Sequence, residues 1–235
     1  MRNIKLLSLA FPVFLHCMQP VYAQTEAQRD DFVKATKFDD VSTVKSLIKQ
    51  GISPNLVDEN GNPILVLAIK DRSYQVIDVL LSSKGMDVDL SNKQGETPLM
   101  LASINGELPI VKTLIVKNKA QIDHIGWTPL HYACAKGHLD VASFLLANGA
   151  NVNAPSLGGT TPLMMAVQSG NESLVKLLLD KGADLQLRNA EGISAIDIAD
   201  IYNKPEISEG LRSRWQKLYK QAYTSSIKPI PTKSP

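Results

Sequence analysis

His131, Cys134 and His138 lie within one short segment, and they are the residues of this chain whose types best suit chemistry. Two imidazoles and a thiol are ligands for zinc, and a thiol beside an imidazole base is the start of a nucleophilic site. Residues three apart on a helix share a face, which would bring His131 and Cys134 together. Gly137 interrupts such a helix before His138, so the three side chains need not converge. Asp197 and Asp200 are also three apart, but helices carry such pairs on solvated faces. Gly158-Gly159 is followed by no lysine, so it does not read as a phosphate-binding loop, and a Gly-x-Ser-x-Gly elbow is absent. The expectation is a chain with no catalytic site, no metal and no cofactor.

The elements that must position these residues recur at a fixed period. One alanine returns at Ala35, Ala68, Ala102, Ala133, Ala166 and Ala199, in steps of 33, 34, 31, 33 and 33 residues. Before the later alanines stand Gly95-Glu96-Thr97-Pro98-Leu99, Gly126-Trp127-Thr128-Pro129-Leu130 and Gly159-Thr160-Thr161-Pro162-Leu163. After them come the aliphatic pairs Leu80-Leu81, Leu114-Ile115, Leu145-Leu146 and Leu177-Leu178. A constant period near 33 predicts a stacked array. Within one unit, Thr128 suits a helix cap and Pro129 the first turn. Leu130 and Ala133 share a face, Gly137 permits a left-handed turn, and Val141, Leu145 and Leu146 stripe a second helix. One such helix pair cannot bury its apolar face alone, so neighbours must stack.

The run Thr128-Pro129-Leu130-His131-Tyr132-Ala133, followed by Gly137-His138, resembles the ankyrin repeat, whose T-P-L-H-x-A signature is the standard example of this period. The resemblance implies an all-α solenoid of about six helix-pair units with β-hairpin fingers. It gives an N-terminal capping repeat over 24–57, four repeats over 58–188 and a C-terminal capping repeat over 189–223. It also gives His131 and His138 the role of backbone-bonding residues, and it places a small packing residue at Cys134. The second unit departs from the pattern: Pro63 replaces Thr, Arg72 replaces Gly, and Asn62 becomes a candidate cap. The third finger, around Asp123-His124-Ile125, is about three residues short, because Lys119 to Gly126 spans seven positions where other units span ten. From Pro205, the positions Ile207, Leu211, Trp215, Leu218 and Ala222 predict a single capping-helix face.

The ends and the charge bound the setting. Arg2 and Lys5, the apolar stretch from Leu6 to Met18 and the small residues Val21 and Ala23 predict a secretory signal peptide over residues 1–23, and hence a periplasmic or secreted protein. Without those residues the chain has lost two of its 25 bases and none of its 23 acids, and it keeps one cysteine, Cys134. A balance near neutrality argues against a general nucleic-acid binder. Residues 224–235, with Pro229, Pro231 and Pro235, read as an extended tail. Arg212, Arg214, Lys217, Lys220 and Lys228, interleaved with Trp215, Tyr219 and Tyr223, form a basic stretch that suits a polar cap, an acidic partner or a membrane surface.

The resemblance implies binding of a protein partner by finger tips and inner helices on a concave face, by a monomer without membrane contact. Carried over by position, the candidates are Asn62, Lys70, Glu96, Ile104, Ile125, Trp127, Lys136, Thr160, Gln168 and Ile193. Trp127 is the outlier among them, since the packing of the repeat asks for no tryptophan there, and tryptophan is enriched where partners bind. The alternatives are that Trp127 fills the space left by the short finger, that an enzyme site is grafted on the stack, or that the basic C-terminal helix acts on the cell envelope.

Overall fold

The computed structural model describes residues 25–225. The signal-peptide and cleavage positions, and the tail from 226 onward, lie outside them. Twelve α-helices among the described residues form six pairs: α1 Glu26–Lys37 with α2 Val41–Lys49, α3 Ile64–Lys70 with α4 Tyr74–Leu81, and α5 Pro98–Ile104 with α6 Leu108–Lys112. They continue as α7 Pro129–Lys136 with α8 Leu139–Ala147, α9 Pro162–Ser169 with α10 Glu172–Asp180, and α11 Ala195–Ile201 with α12 Pro205–Tyr219. The odd-numbered helices stack side by side as an inner layer, most extensively α5, α7 and α9, and each even-numbered helix packs against its own partner. The array is the expected all-α repeat solenoid.

The residue logic of one pair explains the whole. Thr128 is the extended N-cap of α7, Pro129 fills its first turn, and Gly137 ends it at φ 74°. Leu130, Ala133, Val141 and Leu145 are fully buried between the layers. Burial of a leucine there stabilises by about 1.5–3 kcal/mol. Ala133 stays small because α5 and α9 close on α7 from both sides, and a larger residue would overpack it by about 1–3 kcal/mol. Each turn between paired helices holds one residue at positive φ. It is Gly106, Gly137 and Gly170 in three units, but Asp39, Arg72 and Asn203 in the others, at 55°, 56° and 51°.

Four features differ from the sequence expectations. First, the described residues contain no β-strand. The fingers are turns, with isolated bridges only at Val57–Pro63 and Arg188–Ser194. Their tips are closed by one side chain taking two backbone N–H groups: Asp58 Oδ1 accepts from Asn60 (2.9 Å) and Asn62 (2.7 Å), and Asn92 Oδ1 accepts from Gln94 (3.0 Å) and Glu96 (2.9 Å). That leaves too little chain for a ladder. Second, Asn62 does not cap α3. Its amide bonds the Asp58 carboxylate, and Pro63 occupies the cap position without a side-chain bond. Third, the stripe of α12 stops early: Ile207 and Leu211 are buried, Leu218 is 56% exposed, and Ala222 is exposed beyond the helix. Lys220 turns left-handed at φ 56° and sends the chain back over α11. Fourth, the short third unit hides an insertion. Residues Thr113–Lys117 form a π-turn, with Asn118 N–H bonded to Thr113 C=O at 3.2 Å.

The missing finger residues can be placed. Asn55, Asp89, Asp123 and Asn153 each accept a backbone N–H from the following unit: Asp87 at 2.8 Å, Gln121 at 2.9 Å, Asn151 at 3.0 Å and Asp184 at 2.9 Å. They hold equivalent positions. From that position to the finger glycine the chain advances six residues in three units (Gly61, Gly95, Gly159), but only three from Asp123 to Gly126.

Candidate functional site on the inner-helix face

The short finger shapes the surface beside it. Trp127 follows Gly126 and stands 42% exposed, against the edges of His131 (ring centroids 5.2 Å) and Tyr132 (6.4 Å). With Ile104 of α5, Tyr132 and Ala135 of α7 and Met165 of α9 it lines an apolar cavity of about 230 Å³ that also touches His131. Trp127 is neither fully exposed nor a buried plug: it forms one wall of an open hollow. The tip of the next finger leans in, and a methyl on Gly126 would meet Leu157 at 3.4 Å. Leu157 is 86% exposed and Ile125 is 96% exposed, so two finger tips present bare aliphatic side chains beside the hollow.

Hydrogen bonds fix its walls. His131 is buried; its Nε2 lies 2.9 Å from Thr160 C=O, and its Nδ1 accepts the Thr128 N–H at 3.2 Å. Burial holds the imidazole below its ordinary pKa of 6.5, so the neutral ring that these bonds require is the stable form. Tyr132 donates its O–H to Glu96 at 3.3 Å, and burial with the Glu96 charge pushes the phenol up to about 12. His138 Nε2 meets Ile104 C=O at 2.9 Å, tying α8 to the end of α5. Cys134 is fully buried, and burial alone pushes its thiol far above the ordinary range. His131 and His138 therefore point at different backbone carbonyls, with Cys134 in the core between them. Among the described residues no group of three or more His, Cys, Asp or Glu side chains is placed to hold a metal.

The sequence candidates are spread along this face. Ile104 and Trp127 meet in the hollow, and Glu96 and Thr160 brace its walls. Lys70, Lys136 and Gln168 are exposed at the ends of their inner helices. Asn62 and Ile193 are half-buried in their own finger turns, away from the hollow. Tyr132, Met165 and Leu157 were not among the candidates. Leu157 had a signal, a lone aliphatic residue in a tip otherwise made of Ser156, Gly158 and Gly159. Tyr132 and Met165 sit inside the apolar helix run and read as core, but both are half-buried and line the hollow.

The carboxylates and bases of the last unit are tied to one another. Asp197 is buried and meets Arg188 at 3.1 Å, the Tyr223 O–H at 2.6 Å and the Ser225 O–H at 2.6 Å. Burial opposes its ionisation, but the bonds from Ser225, Tyr223 and Ser194 outweigh that and hold the carboxyl below 3.8. Asp200 pairs with Arg212 and accepts from Ser208 at 2.6 Å. Arg214 bonds Leu179 C=O at 3.0 Å and pairs with Asp180. Of the basic stretch, two arginines thus serve internal ties, and Lys228 lies outside the described residues. Wider, more polar depressions of about 650 and 770 Å³ lie at the two ends of the stack, by α11–α12 and by α1. No helix among the described residues is long and apolar enough to cross a membrane.

The family model described as ankyrin repeats (3 copies) matches residues 32–125 and 117–189. The putative ankyrin repeat protein YahD of Escherichia coli (strain K12) is 28% identical over 193 residues, covering 76% of this chain and 92% of that protein. The B-cell lymphoma 3 protein homolog of Mus musculus is 31% identical over 178 residues, covering 73% of this chain and 40% of that protein. Ankyrin repeat and SAM domain-containing protein 6 of Mus musculus is 30% identical over 155 residues, covering 66% of this chain. The chain spans only 14% of that relative's length.

Proposed function

The chain belongs to the ankyrin-repeat family, and we propose from that premise that it works as a protein-binding module, docking a partner on its concave inner-helix and finger face to scaffold, stabilise or inhibit it. The single observation that carries this reading is the hollow walled by Trp127. An aromatic side chain 42% exposed over an apolar cavity is a poor use of tryptophan in a monomer and a good one at an interface. At about 230 Å³ the hollow is below the roughly 300–1,000 Å³ of small-molecule sites and suits one anchoring side chain. The setting we propose is extracytoplasmic, periplasmic or secreted. It rests on Arg2, Lys5, the apolar stretch to Met18 and the small residues before Gln24.

The test is recovery of a partner from an envelope extract, followed by its affinity for wild type and for Trp127→Ala, with a urea melt of each. Loss of about 2 kcal/mol of binding, roughly thirtyfold, with little change in the melt is the expected result. Unchanged affinity with a lowered midpoint would hand Trp127 to the core and remove the anchor. N-terminal sequencing of the native protein checks the setting: a chain starting at Gln24 is expected, and one retaining Met1 in the cytoplasm would refute export.

A further inference from the structure

Resting on that binding reading, we infer that the partner segment is an apolar anchor flanked on one side by acidic residues, spaced to the repeat. Lys37, Lys70, Ile104, Ala135, Gln168 and Ile201 hold the same position in successive inner helices, two residues before the inter-helix turn. They form a row crossing the stack, with neighbours separated by the packing distance of adjacent helices, about 10 Å. The row is basic in units one and two and apolar in units three and four, where Ile104 and Ala135 line the hollow. It is polar at Gln168 and apolar again at Ile201, which is 53% exposed. The next residues along, Phe38, Asp71, Asn105, Lys136, Ser169 and Tyr202, add one base and one acid. Lys37, Lys70 and Lys136 make no ion pair among the described residues, and the nearby Glu96 carboxylate, a negative group at the wall of the hollow, accepts from Asn92 and Tyr132. Along this row the hollow is thus apolar and the two positions leading to it carry lysines, with Asp71 next to Lys70 and Asp58 within reach of the Lys37 charge.

A chain seated with an aliphatic or aromatic side chain in the hollow, against its near wall at Ile104, passes Lys70 about 10 Å beyond that wall and Lys37 about 20 Å beyond it. In an extended segment those distances are about three and six residues, at roughly 3.3 Å each. In a helix they are about seven and thirteen, at roughly 1.5 Å each. Carboxylates at such positions complement the lysines. Ile125 and Leu157, bare at the finger tips, offer a second apolar contact beside the anchor.

The experiment selects random linear peptides displayed on phage against the whole chain from Gln24 to Pro235, then measures the recovered peptides as labelled probes by fluorescence polarisation. Expected are sequences with one large apolar residue and Asp or Glu to one side at a regular spacing. Their affinity should fall about thirtyfold with Trp127→Ala. It should fall about tenfold with the triple variant Lys37→Glu, Lys70→Glu, Lys136→Glu, and decline in high salt. Ile104→Lys is the second hollow variant. It places at that position the residue unit two already carries as Lys70, so the fold should tolerate it, and it should abolish binding. Peptides that need Trp127 and Ile104 but carry basic or uncharged flanks would overturn the acidic partner and leave the binding reading standing. Peptides indifferent to both residues, or no enrichment at all, would overturn both.

Discussion

His131 joins two units through one ring, with Thr128 N–H on one nitrogen and Thr160 C=O by the other. Replacing it with Leu leaves the buried Thr128 N–H without its partner, at a cost of about 1–3 kcal/mol, and removes one of two donors from Thr160 C=O, which keeps the Ser156 N–H at 2.8 Å. Its titration adds a pH signature. Because burial lowers the folded pKa below 6.5, the unfolded chain takes the proton first as pH falls. The stability due to the neutral ring is therefore complete above about pH 6.5 and is lost below it. Urea midpoints at about pH 7.5 and about pH 5.5 should differ more for wild type than for His131→Leu, and equal differences would remove His131 as the cause. Cys134 gives a simpler test. Its thiol is fully buried and hard to ionise, so iodoacetamide should label it only in denaturant. Labelling of the native protein would mean that the fourth unit opens. At this scale the sequence was informative about residues that break a rule. Trp127 stood out because no packing demand explained it, and the bland reading of His131, Cys134 and His138 followed from the repeat. Tyr132 and Met165 were invisible because their exposure depends on the surface around them and not on their own apolar run, in which the equivalent Leu67, Leu101 and Ile198 are buried.

Elements carry that dependence. The period of the alanines, the Thr-Pro starts and the paired aliphatics made the six helix pairs legible, since each unit repeats the same burial problem. The π-turn at Thr113–Lys117 was not legible. It adds one residue within a unit whose finger loses three, so the spacing between alanines shows only the net shortening to 31. The end of α12 was not legible either. Its apolar period runs on to Ala222, but Tyr223 is drawn back between Arg188 (5.7 Å) and Arg212 (5.2 Å) toward Asp197, and the helix ends to allow it. The finger can be tested directly. Replacing His124-Ile125 with the five-residue sequence of Ala154–Gly158 restores the ordinary length between Asp123 and Gly126. In a Trp215→Phe background, acrylamide quenching of Trp127 should then fall and peptide affinity should drop at least tenfold, with the urea midpoint nearly unchanged, because surface loops tolerate insertion. If quenching is unaltered, the short finger is not what uncovers the hollow.

In the whole stack the sixth pair has one neighbouring pair among the described residues, and its other side must be closed, because each unit is stabilised mainly by its neighbours. Asp197 shows how the chain does this. It stands in the α11 position that His131 holds in α7. His131 bonds Thr160 of the following unit, but among the described residues no unit follows Asp197. The segment after α12 returns instead, and Tyr223 and Ser225 supply the two hydroxyl donors, while Tyr223 also packs edge-on to Trp215 at 5.1 Å. Truncation after Lys220 should therefore loosen α11 and α12 selectively. Hydrogen exchange should quicken in those helices by about the factor that one or two net hydrogen bonds supply, roughly tenfold to a hundredfold, while α5 and α7 stay as protected as before. Tyr223→Phe, which keeps the ring and removes the donor, should give the smaller part of that change. Acid gives an independent readout. The lowered carboxyl of Asp197 contributes stability that is present above its ordinary value of 3.8 and is lost as pH falls through the depressed folded value. The truncated chain, without the Tyr223 and Ser225 donors, should lose less stability over that interval than the full chain. Uniform acceleration across all six pairs would instead mean that the array unfolds as one unit and that the returning segment is not a local seal.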